Sequence, residues 1–176
     1  MTQEKTEWAV LDTSVLINFL AVDRVDLLAR HPAYHFFVTE HVRKEVTAHY
    51  DEEVNRLNAA LASNTLEEIR VEAIEELALF AQLTKEPRLG LGECAAIAAA
   101  VHRGYVLAID DKVARRAALA LSPALTVLDT QSLMLSLIRA GVLSIEDADA
   151  IKAEWETEHS FVLKIKSFGD LLGGPS

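Results

Sequence analysis

Five carboxylates in this 176-residue chain stand where a reaction could use them: Asp12, Glu45, Glu93 and the adjacent pair Asp110 and Asp111. Asp12 cuts off the apolar run of AVLDTSVLIN, and the pair closes GYVLAIDD. Glu93 follows the second glycine of LGLGECA, and Glu45 lies in TEHVRKEV. Carboxylates brought into one pocket repel and raise each other's pKa unless a cation joins them. A donor set made only of oxygen suits a hard ion, Mg²⁺ or Mn²⁺, rather than zinc. Such an ion can activate water and bind a phosphate oxygen, which is the chemistry of phosphodiester hydrolysis.

Each carboxylate also has a plainer reading. Asp12 before Thr13 and Ser14 is a good helix N-cap, as is Asp110 or Asp111 before Lys112. Glu45 reads as a solvated helix residue, and Glu93 can favour a helix macrodipole. Capping explains an Asp after a strand, but not a Glu after a glycine pair in the same construction. The six histidines show no zinc spacing. His31 and His35 straddle Pro32 and cannot share a helix face, while His41 and His49 read as helix-surface residues.

Alternating apolar runs and turn signals arrange the elements that must position these groups. Strands are expected over 7–11, 34–39, 65–71, 104–109 and 125–128. Helices are expected over about 13–20, 22–30, 40–49, 51–62, 72–84 and 112–121. Others start near Gly90, Gln131 and Ser144. This alternation implies an α/β fold with a parallel sheet covered on both faces. Ligands then sit beyond the carboxyl ends of the strands, which is where Asp12 and the Asp110–Asp111 pair fall.

The length suits one domain, spanning 1–176, and 51% apolar residues suit a packed core. Against 27 acidic residues stand 17 Lys and Arg, a formal charge of −10, which argues against non-specific duplex binding. The lone Cys94 excludes an internal disulfide and fits a reducing compartment. The polar start MTQEKTEW lacks the apolar core of a signal peptide, and no apolar run reaches membrane-spanning length. A cytoplasmic protein with no membrane partner is expected.

One segment carries a competing pattern. GLGECA at 90–95 matches G-x-G-x-x-A, with Asp110 spaced as in a dinucleotide-binding unit. That unit needs a strand running directly into its first glycine, and TKEPR does not read as one. Glu93 would also aim a negative charge at the pyrophosphate. The glycines are better read as a tight entry into a helix packed closely on the sheet.

VLDTSVLINFL, TEHVRKEV, LGLGECAAIAAA and GYVLAIDDKVARRAA resemble, in order, the signature blocks of PIN domains. The likeness covers roughly 7–140 and is nearest to the prokaryotic subgroup with LGxGE and DDxxAR blocks. It implies a three-layer α/β/α sandwich around a parallel sheet, and a Mg²⁺- or Mn²⁺-dependent ribonuclease for single-stranded RNA. Carried over by motif, Asp12, Glu93 and Asp110 or Asp111 are the metal ligands, and Glu45 is the second-block carboxylate. Thr13 and Ser14 are expected to contact a phosphate or its water. Arg115 and Arg116 are candidate phosphate contacts, in a local basic patch with Arg103 and Lys112. Many such proteins are toxins paired with an antitoxin, often homodimeric. The competing reading is a non-catalytic PIN-like module that binds a protein through its acidic pocket or tail. The helical extension 141–176 exceeds a minimal toxin. Its stretch FVLKIKSF is expected to complete the core, with an added edge strand or a covered groove as alternatives.

Overall fold

The computed structural model describes residues 6–173, so the first five residues of the polar start and the last three residues lie outside the described residues. In chain order the first half comprises β1 (Glu7–Leu11), α1 (Thr13–Ala21), α2 (Asp26–Ala29), β2 (Tyr34–Thr39), α3 (Glu40–His49), α4 (Val54–Ala62) and β3 (Glu67–Ile69). There follow α5 (Ile74–Leu83), α6 (Leu91–Arg103), β4 (Val106–Ala108), α7 (Lys112–Leu121), β5 (Val127–Leu128), α8 (Thr130–Arg139), α9 (Ile145–Glu158) and α10 (Phe168–Leu172). The strands form one sheet, ordered β3-β2-β1-β4-β5, and every neighbouring pair is parallel.

Both faces of that sheet are buried, as alternation along its central strands requires. Ala9, Leu11, Val106 and Ala108 point into one core with side chains from α1 to α4 and α8 to α10. Val10, Leu107 and Ile109 point into the other with α5, α6 and α7. The result is the expected α/β/α sandwich. Helix α6 is built for the second face: Cys94 through Ala100 are all fully buried, and their small side chains bring the helix close to the sheet.

The strand order creates the feature that positions the site. From β1 the chain steps outward through β2 and β3, then returns to the opposite side of β1 with β4 and β5. A crevice opens at the carboxyl ends where the order reverses. Asp12 leaves β1 there, its N–H donating to Ala108 O of β4 at 2.9 Å. Asp110 and Asp111 leave β4 on the same edge.

Several elements differ in extent from expectation. Helix α2 is a single turn, because Asp23 takes a left-handed conformation (φ 54°) that separates it from α1. Strand β3 shrinks to three residues at the sheet edge, and β5 to two. The stretch 161–168 forms no strand: Phe161, Leu163 and Ile165 pack against the first core, and Phe168 is buried in it. Phe168 also opens α10, which the sequence pattern did not announce. Residues 84–90, before the glycine motif, are turn and coil after α5, so the strand a dinucleotide site needs is not there.

Candidate functional site

Asp12 does two things at once. Its Oδ2 accepts from the Ser14 N–H at 3.4 Å and from the Ser14 hydroxyl at 2.7 Å, which caps α1. Its Oδ1 is buried and has no hydrogen-bond partner. The residue is 1% exposed, and an orphan carboxylate oxygen in such a place costs free energy. Burial pushes its pKa up to about 6, against the pull of Ser14 and Thr13, and the Glu45 charge adds to the rise.

Glu45 reaches the same place from α3. That helix starts at the edge of β2, where the Thr39 hydroxyl accepts from Val42 N at 3.2 Å. One turn later Glu45 Oε2 accepts from Thr13 Oγ1 at 2.8 Å, joining α3 to the first residue of α1. Gly92 of α6 explains part of the glycine motif. A Cβ there would collide with Glu45 Oε2 and come within 2.9 Å of Thr13 Oγ1. The position must be bare for α6 to approach these two groups.

Glu93 follows at the start of α6 and accepts from its own N-cap, Gly90 N, at 2.9 Å. Burial raises its pKa to about 7 despite that bond, and the charges of Asp12, Asp111 and Glu45 add to the rise. Asp12, Thr13, Ser14, Glu45, Tyr50 and Glu93 line one cleft of about 270 Å³. Ser14, Tyr50 and Glu93 also border a second depression of about 460 Å³ with Asp110 and Asp111. All five sequence-selected carboxylates thus border one continuous crevice.

Their roles in it differ. Asp110 is saturated: Oδ1 accepts from Thr130 N at 2.8 Å, and Oδ2 from Thr130 Oγ1 at 2.7 Å and Asn18 Nδ2 at 3.1 Å. It ties α1 and α8 to the end of β4. Asp111 caps α7 through Ala114 N at 2.9 Å and lies exposed at the crevice rim. Among the described residues, no three His, Cys, Asp or Glu side chains are grouped closely enough to hold a metal ion as they stand. The donor chemistry and the orphan oxygen of Asp12 nevertheless fit a hard cation. The carboxylates instead lean on Ser14, Thr13, Gly90 and Ala114, bonds that an ion would compete with.

The basic candidates fare differently. Arg115 and Arg116 are exposed on α7 and line neither part of the crevice. Arg103 is not available as a nucleic-acid contact. Its Nε donates to Glu76 Oε1 at 2.8 Å and its Nη2 to Glu76 Oε2 at 3.2 Å. The Glu76 side chain is 1% exposed, so the guanidinium is needed to neutralise a buried charge. His31 is also structural, its Nε2 lying 2.7 Å from Ser136 Oγ.

Two groups, Tyr50 and Asn18, escaped the sequence reading, and the C-terminal extension takes the groove-covering place expected as one of its alternatives. Tyr50 borders both depressions, and burial together with the charges of Glu45, Glu53 and Asp12 pushes its pKa above the usual tyrosine value. Asn18 links Asp110 to Thr130, and was visible as the one amide in the apolar helix VLINFL. The C-terminal extension supplies the rest of the rim through His159, Ser160 and Phe161.

A family model described as a PIN domain, DUF3368, matches residues 8–163. No curated protein matches the chain. Among solved structures, VapBC2 from Rickettsia felis, bound to a DNA fragment from its promoter, is similar at 15% identity. That likeness covers 69% of this chain and 98% of that one, with a TM-score of 0.46. A PilT N-terminus domain protein, SSO1118 from Sulfolobus solfataricus P2, is 17% identical over 78% of this chain and 94% of that one, with a TM-score of 0.49. PAE2754 from Pyrobaculum aerophilum is 14% identical over 81% and 95%, with a TM-score of 0.48. The family match runs from the strand before Asp12 to the tail segment that closes the crevice, and on that span the chain belongs to the PIN domain family DUF3368.

Proposed function

We propose that this protein is a metal-dependent nuclease that hydrolyses phosphodiester bonds in single-stranded RNA. The observation that carries the reading is the buried, unpartnered Oδ1 of Asp12 at the sheet's switch point, in a cleft it shares with Glu45 and Glu93. Asp12, Glu93 and Asp111 are the side chains to hold Mg²⁺ or Mn²⁺. Asp110 is set aside because both its oxygens are committed to Thr130 and Asn18. When bound, the ion supplies Lewis-acid polarisation of the phosphate and a more acidic water. Glu45 keeps α3 and α1 in register through Thr13 and places a further negative charge at the cleft. The raised pKa of Glu93, about 7 in the metal-free cleft, marks a carboxylate whose charge is uncompensated there and which a bound cation would hold ionised. The Ser14 hydroxyl, which donates to Asp12 Oδ2 at 2.7 Å, orients the carboxylate that would hold the ion.

Purified protein should cleave a generic single-stranded RNA when Mn²⁺ or Mg²⁺ is added and stop when EDTA removes it. Glu93→Gln should lower activity by about a hundredfold, since it removes a proposed ligand and even groups that only orient ligands are worth about 10–100-fold. A folded parent that is inert with both ions would instead support a non-catalytic, protein-binding PIN module.

A further inference from the structure

We propose that the groove along α3, with Lys44 and Arg70 as its phosphate contacts, is the track that leads single-stranded RNA into the carboxylate cleft. The inference deepens the nuclease reading and rests on it. A polyanion reaches a cluster of carboxylates only where fixed cations compensate its charge. With a net charge of −10 the molecule has few such places. Arg103 is committed to Glu76, and Arg115 and Arg116 lie outside the crevice.

Helix α3 supplies the cations in the right order. The cleft holding Asp12 adjoins a depression of about 310 Å³ lined by His41, Lys44, His49 and Leu91, and the two share Glu45. That depression adjoins a groove of about 640 Å³ bordered by Arg43, Lys44 and Arg70, and the two share Lys44. His41, Glu45 and His49 are spaced four apart and so fall on one helix face. The Thr13–Glu45 bond sets where this face sits relative to the reacting centre. A strand following the helix would therefore pass Arg70 and Lys44 before meeting Glu45.

The carboxylates of the groove are already engaged. Both Glu40 oxygens accept from Val71 N, at 3.2 and 3.3 Å, and Glu68 pairs with Arg43 at 3.0 Å. Among the described residues, Lys44 and Arg70 have no ion-pair partner. The exposed Leu91, 61% accessible at the start of α6, adds an apolar surface beside the histidines for a base to rest on.

The test uses a fluorescein-labelled single-stranded oligoribonucleotide, with binding read by anisotropy in EDTA and cleavage read in Mn²⁺. Lys44→Gln with Arg70→Gln should raise Kd and KM about tenfold and leave kcat within about twofold, because uniform binding is what is lost. The slope of log Kd against log salt should fall by about 1.4, about 0.7 for each lost phosphate contact. Lys85→Gln with Arg139→Gln removes the same charge from exposed positions outside these depressions and should change neither. Equal losses in that control, or larger losses in Arg115→Gln with Arg116→Gln, overturn the track. A parent that cleaves while Lys44→Gln with Arg70→Gln matches it removes the track alone. If binding depends on α3 but no cleavage occurs, the nuclease reading falls and the track stands. A parent that neither binds nor cleaves removes both.

Discussion

Asp12 shows how one side chain can satisfy two readings that look exclusive on paper. Its Oδ2 caps α1, and its Oδ1 is buried without a partner. Replacing it with Asn keeps the cap, because Asn caps about as well as Asp. The substitution also removes one charge from a group that repels itself, which burial has already pushed to a pKa of about 6. In EDTA at pH 7, Asp12→Asn should unfold at higher denaturant than the parent, by about 1–3 kcal/mol, since one pKa unit is worth about 1.4. RNA cleavage and the stabilisation by Mn²⁺ should both be lost. Denaturant melts with EDTA and with Mn²⁺, beside a cleavage assay, measure the two signs together. Parent-like melting and parent-like activity would reduce Asp12 to a cap.

At the scale of elements, the crevice depends on helices that contribute no carboxylate. Trp155 of α9 is fully buried, stacks edge-on against Phe19 and Phe161, and donates from Nε1 to Asn18 O at 2.7 Å. It thereby clamps the tail segment to α1, whose Asn18 side chain holds Asp110. Removing so large a buried ring should cost about 3–5 kcal/mol. Trp155→Ala is expected to lose that much in urea denaturation, and its remaining folded fraction should show a lowered kcat because α1 and α8 are no longer held to β4. A loss below 1 kcal/mol would mean that the tail is not part of the core. The alternation of strands and helices that sets this frame was legible along the chain. The tail's packing was legible as well, since FVLKIKSF was expected to complete the core and its Phe161, Leu163 and Ile165 do so. The bond from Trp155 to Asn18 was not, because the two lie far apart in sequence.

For the whole molecule, the crevice predicts an unusual dependence on pH. Asp12 and Glu93 have folded pKa values of about 6 and about 7, above the ordinary carboxylate range. Between about pH 4 and 7 the folded state holds more protons than the unfolded one, so the contribution of these groups to stability declines as pH rises through that window. Glu76 acts oppositely: burial raises its pKa, but the Arg103 guanidinium outweighs this and holds it low. The comparison is therefore best made between parent and the Asp12→Asn, Glu93→Gln double variant, in EDTA. The parent should lose about 2–5 kcal/mol relative to that variant between pH 4.5 and 7.5. Millimolar Mn²⁺ should restore most of it in the parent alone, by mass action on the folded state. A pH-independent difference between the two would show that the carboxylates do not burden the fold.

Local chemistry along the chain was enough to determine the parallel α/β sandwich and the PIN resemblance, and it set Asp12, Asp110 and Asp111 at strand ends, Glu93 at a helix start and Glu45 within a helix. Periodicity, caps and glycine punctuation act within a few residues of one another, so they survive in a linear reading. The chain alone left Asp110 and Asp111 interchangeable. The tertiary structure distinguishes them because Thr130 and Asn18, distant in sequence, fill both oxygens of Asp110 and leave Asp111 at the rim. It likewise withdrew Arg103 into a pair with buried Glu76 and brought Tyr50 and His159 to the crevice. Those outcomes depend on which helices meet across the sheet's reversal of order, and no spacing along the chain encodes that meeting.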